Sequence, residues 1–301
     1  MAESFFMERI KEAYPELIIT SVVWNRNGQN NDVFIVNDEF VFRFPKYQEG
    51  ILALEKEGML LRYIKPYLTL PIPQPLFEQF ERKSVGYAFS GYAMLAGQPF
   101  FRKCYQSIEK QDEQACLVKQ LGCFLRELHH TPLSPSILEK WDKPDMESTI
   151  GDLYSRIQEK LYSFLSKDTR QEISNRFETY LGEPAHFRFE PCLIHGDFGS
   201  ANILYQPEQF AISGIIDFGN GGLGDPAYDL AGLFSSYGYG CIELLSRVYP
   251  LHHELLERMN FYQSTFALQE ALFGLEHQDQ QAFQAGIAPY MDSSNGAISK
   301  A

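Results

Sequence analysis

Apolar and polar positions repeat with two different periods along this chain, and the change of period divides it. Residues 5–13 place apolar side chains at helical spacing, with Pro15 marking the end. Residues 18–24, 32–36 and 39–44 then alternate with a period of two, which predicts three strands, with Asn37 and Asp38 as the hairpin turn between the last two. Helical spacing returns over residues 51–64 and is stopped by Pro66. The segment 70–75 reads Leu-Pro-Ile-Pro-Gln-Pro, a rigid extended connector, because proline removes a backbone donor and fixes φ. Strands at 76–80 and 86–94 complete a small sheet. Beyond Gly97 the pattern is mainly helical, and residues 116–129 form the clearest amphipathic run. The prediction is an α+β chain of two lobes: a small antiparallel-sheet lobe over residues 1–91, a hinge at 92–97, and a larger, mainly helical lobe over 98–301.

Within the helical part, apolar pairs at 193–194 and 203–204 and the run 212–216 predict short buried strands. They frame His195-Gly196-Asp197, then Asn202, then Asp217-Phe218-Gly219. Phosphoryl transfer needs a carboxylate to hold the acceptor hydroxyl and take its proton, and oxygen ligands to fix magnesium on the phosphates. Asp197 suits the first task, Asn202 and Asp217 the second, and the five-residue step from Asp197 to Asn202 is the spacing of a kinase catalytic loop. Asp-Phe-Gly alone is ordinary turn chemistry. The ordered combination between apolar strands is far more specific, and it predicts a kinase that takes ATP or GTP with Mg2+.

A kinase also needs a turn over the phosphates and a braced cation. Between residues 24 and 34 the polar turn holds one glycine, Gly28, which lets the backbone approach an anion. On the third strand Val41 and Arg43 share one face and Phe42 and Phe44 the other, so Arg43 stands where the phosphate-binding lysine is expected, with Lys46 the second candidate. Glu57, on the following helix, matches the bracing glutamate, and Glu55 lies on another face of that helix.

With these residues in hand the chain resembles the aminoglycoside phosphotransferases, closest to their 2″-phosphotransferase branch, through His-Gly-Asp at 195–197, Ile-Ile-Asp-Phe-Gly at 215–219, Asp-Pro-Ala-Tyr-Asp at 225–229 and Phe-Arg-Phe-Pro-Lys at 42–46. The resemblance implies a two-lobed protein-kinase-like fold and an antibiotic-resistance phosphotransferase with an aminoglycoside as acceptor. It also implies a hinge in which the backbones of Ala93 and Leu95 meet the purine edge while Tyr92 limits the depth of the pocket, leaving GTP open beside ATP. Asp225 and Asp229 are expected to hold the catalytic loop and start the next helix, His195 to hold the loop through backbone bonds, and His129 to pack or cap. Arginine at position 43 departs from the common lysine. So does Asn220 where the branch has aspartate, and residues 232–240 carry no carboxylate where it has an acidic cluster. That leaves Glu243, Glu270 and Glu276 as candidate acids for a cationic drug, and keeps open a macrolide or a small metabolite such as an amino alcohol or sugar as acceptor, or a nucleotide-binding regulatory pseudokinase.

Composition sets outer bounds. A chain of 301 residues with 45% hydrophobic content can bury a sizeable core. A net charge of −13 argues against a nucleic-acid partner, which must supply lysine and arginine, and suits a cationic small molecule. No apolar run is long enough to cross a bilayer, and residues 1–10 lack the pattern of a secretion signal. Five cysteines without Cys-x-x-Cys spacing predict reduced thiols, hence a cytoplasmic protein, and a monomer is expected.

Overall fold

The computed structural model describes residues 2–25 and 30–291. Gly28, expected in the phosphate-covering turn, lies outside the described residues. Helix α1 (Ala2–Ala13) precedes strands β1 (Val22–Asn25), β2 (Asn31–Val36) and β3 (Phe40–Pro45). Helix α2 (Gln48–Ile64) follows, then β4 (Pro75–Gln79) and β5 (Phe89–Ala93). The five strands form one antiparallel sheet in the order β1-β2-β3-β5-β4. Alternation along β3 works as the sequence predicts. Phe42 and Phe44 enter the small core with Phe34, Phe89 and Ile10, all without exposed surface, while Arg43 turns to the opposite face.

The turn between β2 and β3 is built on two residues in the left-handed region, Asn37 (φ 58°) and Asp38 (φ 54°), with Glu39 N–H donating to Val36 C=O at 3.0 Å. Asn37 does more than turn the chain. Its Oδ1 accepts from Thr20 N (2.7 Å), Thr20 Oγ1 (2.9 Å) and Ser21 N (3.2 Å), and its Nδ2 donates to Ile18 C=O (2.7 Å). These bonds take up the backbone of residues 18–21, and Ile18 is 77% exposed. The strand expected from residue 18 therefore begins only at Val22. Likewise the strand expected from Gly86 begins at Phe89, because Tyr87 and Ala88 both donate to Ser84 C=O in a turn with Gly86 at φ 82°.

After β6 (Gln98–Pro99) the chain is helical through α3 (Arg102–Gln106), α4 (Gln111–His129), α5 (Pro135–Leu138), α6 (Met146–Lys160) and α7 (Lys167–Leu181). Four short strands follow: β7 (Cys192–Ile194), β8 (Ile203–Gln206), β9 (Ala211–Ile215) and β10 (Gly222–Gly224). The chain continues in α8 (Pro226–Tyr237), α9 (Tyr239–Leu245), α10 (His253–Glu276) and α11 (Gln280–Ile287). β7 pairs with β10, and β6-β8-β9 form a second small sheet. A single large core joins these elements, and it takes in Leu60, Leu61 and Ile64 from α2. The proline connector docks on β9, where Ile215 N–H donates to Pro71 C=O at 3.0 Å. All five cysteines are unpaired, and no described helix is long and apolar enough to cross a membrane.

Asn37→Gly keeps the left-handed turn accessible but deletes four side-chain hydrogen bonds. It is expected to lower stability by about 1–3 kcal/mol in urea unfolding, while Asp38→Gly, which deletes none of them, should stay within about 0.5 kcal/mol of the parent.

Candidate active site

The loop between β7 and β8 is held from below by one buried carboxylate. Asp229, in the first turn of α8, accepts from His195 N (2.8 Å) at Oδ2 and from Gly196 N (2.9 Å) at Oδ1. Gly196 is at φ 78°, and a β-carbon there would collide with the carbonyl of Asn220, so this close turn requires glycine. The His195 ring spans the loop. Its Nε2 bonds Ile216 C=O at 2.9 Å and its Nδ1 accepts from Asp197 N at 3.2 Å, which places the proton on Nε2. Asp225 caps α8 by accepting from Ala227 N (3.0 Å), and is itself held by Arg258 (2.6 and 3.2 Å) and the Tyr262 hydroxyl (3.0 Å).

His129 has a larger role than the packing or capping expected of it. Buried at the end of α4, it bonds Asp229 Oδ2 through Nε2 (3.1 Å) and the Tyr249 hydroxyl through Nδ1 (2.7 Å). Burial pushes the Tyr249 pKa well up, so its phenol keeps its proton and donates to Nδ1. His129 then carries its own proton on Nε2 and donates it to Asp229. Burial by itself would raise the Asp229 pKa, but the hydrogen bond from His129, with the backbone bond from His195, holds it below the ordinary value of 3.8. Only the spatial meeting of α4, α8 and the segment after α9 reveals this chain of bonds. The sequence offers no signal beyond three separate polar residues.

Above the loop, Asn202 Nδ2 donates to both the carbonyl and Oδ2 of Asp197, each at 2.9 Å. This leaves Asp197 Oδ1 unbonded by Asn202 and turns the Asn202 amide oxygen away from Asp197. Asp197 is open to solvent, yet partial desolvation by the cleft walls raises its pKa, opposed by His195 and the Asn202 bond. Asp217 stands beside it in the left-handed region (φ 64°) with its side chain 54% exposed.

From the other side, the Arg43 guanidinium pairs with Glu57 at 2.7 Å and reaches Asp217 at 3.6 Å. Glu57 Oε1 also accepts from Phe218 N at 3.2 Å, so β3, α2 and the segment after β9 share one cluster. Burial would lower the Arg43 pKa, but Glu57 and its neighbours raise it, and the group stays charged. Tyr92, paired with Val41 across β3 and β5, lies buried against Arg43, and desolvation pushes its pKa up to about 12. Glu55 faces outward and pairs with Lys83 at 2.6 Å. The Lys46 backbone N–H donates to Asn30 C=O at 3.0 Å. Met94 N–H is taken by Glu39 C=O at 2.7 Å, whereas no hydrogen bond among the described residues engages the Leu95 N–H. The Ala93 residue beside them is exposed.

The donors at this rim are oxygens. No group of three or more His, Cys, Asp or Glu among the described residues could hold an ion by itself. The Asn202 amide oxygen and the exposed Asp217 carboxylate are two hard oxygen donors, and that suits Mg2+, which keeps waters and fills its shell with substrate phosphates.

One candidate acid is reassigned. Glu276 is taken by Arg156 (2.5 Å) and Lys160 (2.7 Å), tying α6 to α10. Residues 232–240 serve packing in large part: a β-carbon on Gly232 would meet the Phe198 carbonyl at 2.8 Å, Ser236 Oγ accepts from Ser200 N at 2.9 Å, and Tyr237 is buried with its hydroxyl on Phe100 C=O.

A profile of a phosphotransferase enzyme family matches residues 23–254. The chain belongs to this family. Viomycin phosphotransferase of Streptomyces vinaceus is 36% identical over 105 residues, 33% of this chain and 36% of that protein, so the chain spans about a third of the length of that relative. A GDP complex of aminoglycoside 2′-phosphotransferase-IIIa superposes with TM-score 0.86 at 26% identity, covering 96% of this chain and 97% of that chain. A GDP and kanamycin complex of APH(2″)-IIIa gives TM-score 0.85 at 26% identity, covering 95% and 96%. The fold is therefore the two-lobed, kinase-like one: a small antiparallel-sheet lobe and a larger helical lobe.

Two outcomes follow from the buried chain of bonds. Because the folded Asp229 pKa is depressed, its stabilising contribution is full above the ordinary aspartate value and is lost as pH falls through the lower folded value. Thermal stability measured from pH 7 to pH 3 should drop on the acid side, and Asp229→Asn should flatten that drop. Tyr249→Phe removes the hydroxyl that orients His129; it should cost about 1 kcal/mol of stability and lower kcat several-fold at unchanged nucleotide KM, in steady-state assays at saturating acceptor.

Proposed function

We propose that this chain moves the γ-phosphoryl group of ATP or GTP to a hydroxyl of a small molecule, the family relationship suggesting an aminoglycoside antibiotic as acceptor and the lining of the site a less charged one. The observation that carries the reading is the convergence of Asp197, Asn202 and Asp217 on one rim, facing the Arg43–Glu57 pair. The nucleotide binds between residues 1–91 and 98–301, with 92–97 as hinge. There the Ala93 and Leu95 backbones take the purine edge, Tyr92 sets the depth of the pocket, and Arg43, braced by Glu57, takes phosphate oxygens, with Lys46 as the second cation.

Asp197 Oδ1 accepts the hydrogen bond of the acceptor hydroxyl and orients it in line with the γ-phosphorus. As the new oxygen–phosphorus bond forms, the bond from the γ-phosphorus to its bridging oxygen breaks, the nucleoside diphosphate leaves, and the hydroxyl proton passes to Asp197. Little charge develops on the acceptor oxygen in a loose transition state, so Asp197 acts mainly by orientation and takes the proton late. Asn202 and Asp217 would hold Mg2+, which when bound neutralises charge on the β- and γ-phosphates. His195, Asp229 and His129 keep the loop in shape. The protein acts in the cytoplasm as a monomer. A second acceptor class, a macrolide or a small metabolite, is favoured by one observation: residues 232–240 carry no carboxylate, and Glu276 is already paired.

The test is phosphate transfer from ATP and from GTP to aminoglycosides, macrolides and small metabolic alcohols. Transfer should need magnesium and should fall about 10²–10⁴-fold in Asp197→Ala. Nucleotide binding without turnover under any of these conditions would favour a regulatory pseudokinase instead.

A further inference from the structure

A cavity of about 420 Å³ opens beside the catalytic loop, between α6, α8 and α10 and roofed by β10. It borders Gly196, the residue before Asp197, and Asn220, two residues after the segment that carries Asp217 and Phe218. Its walls are apolar: Met146, Ile150 and Leu153 come from α6, Leu223 from β10 and Phe261 from α10. The one carboxylate among the described residues lining it, Asp225, is 1% exposed and its charge is already matched by Arg258 at 2.6 and 3.2 Å. The remaining polar groups are neutral. Tyr228 donates to Gln269 Oε1 at 3.4 Å, a long bond, and Gln269 Nε2 donates to Thr265 Oγ1 at 2.9 Å.

Resting on the phosphotransferase reading, we propose that this cavity is the acceptor-selecting part of the site, that it takes an uncharged, partly apolar portion of the acceptor, and that Tyr228 and Gln269 are its specificity-determining polar pair. The cavity lies within the usual size of a small-molecule site and has the usual make-up, apolar walls with few convergent polar groups. An ammonium group placed there would leave water and find no carboxylate in exchange. A ring face or alkyl branch would instead exchange water for the α6 and α10 side chains, while a neutral hydroxyl or carbonyl could bond Gln269 and Tyr228, whose mutual bond is long enough to be exchanged. The amide of Gln269 is the position at which a single charge would change the outcome, since glutamate has the same shape and would supply the missing partner for a cation.

The experiment compares kcat/KM for a macrolide carrying one amine with that for kanamycin, in the intact protein and in Gln269→Glu and Leu153→Trp. The parent should favour the macrolide by about tenfold or more. Gln269→Glu should move the ratio toward kanamycin by about tenfold, the size of one charge-assisted bond. Leu153→Trp fills the apolar wall and should raise the macrolide KM by about tenfold, more than it raises that of kanamycin. A ratio unmoved by Gln269→Glu, or a parent that favours kanamycin, overturns the proposal while leaving the phosphotransferase reading intact. Magnesium-dependent hydrolysis of ATP or GTP by the parent in the absence of acceptor separates the two. If both hydrolysis and transfer are absent, the phosphotransferase reading fails and this proposal fails with it.

Discussion

Everything at the catalytic rim depends on one carboxylate buried at the start of α8. Asp229 has no exposed surface, and a carboxylate taken out of water is costly unless its lone pairs are met. Two backbone N–H groups of the loop and one imidazole N–H meet them, and the partly positive N-terminus of α8 adds to the effect. The dependence runs both ways: the loop backbone adopts its turn because that turn presents two donors to Asp229, and Asp229 stays ionised because the donors are there. Asp225, four residues earlier, repeats the arrangement with Arg258 and Tyr262 as donors. The segment 225–229 therefore fixes both the helix start and the height of Asp197 above it.

The second constraint is the cation that faces this rim. A lysine ammonium is a compact point charge, whereas a guanidinium presents separate N–H groups in a rigid fork. Arg43 uses that difference, directing Nη1 to Glu57 and Nη2 toward Asp217. Glu57 in turn accepts from the Phe218 backbone with the same oxygen that binds Arg43. The departure from lysine thus has a physical account: one side chain on the third strand reaches both the bracing helix and the Asp-Phe-Gly segment. A cation that draws the Asp217 carboxylate away competes with a 3.6 Å contact, the weaker of the two, and leaves the 2.7 Å bond to Glu57 in place.

Much of this was legible in the chain because period and spacing are local. Alternation along 40–45 separated Arg43 from its phenylalanine neighbours, the Asn37-Asp38 pair announced a left-handed turn, and the five-residue step from Asp197 to Asn202 matched a loop in which the two side chains bond each other. The misreadings have tertiary causes. Residues 18–21 alternate like a strand, but Asn37 takes their backbone groups from outside the segment. Gly232, Ser236 and Tyr237 show in the sequence only as positions without carboxylates, and it is the fold that packs them on the loop after β7 and the strand region near Phe100. His129 and Tyr249 stand 120 positions apart, so nothing in the sequence joins them.

Net charge illustrates the same limit in electrostatics. A formal charge of −13 makes a cationic acceptor attractive as a first expectation, and at low salt such a field does hasten encounter with cations. At physiological ionic strength, however, exposed charges are screened beyond about 8 Å, so carboxylates elsewhere on the surface cannot replace one inside a cavity. What an acceptor would meet in the proposed cavity is a neutral amide, a phenol and aliphatic side chains, with the nearby Asp225 already matched by arginine. Global charge governs how often a cation arrives, and the local donor set governs whether it stays. In this chain the two point to different chemistries, and the proposed selectivity follows the local one because binding energy is collected at contact distance.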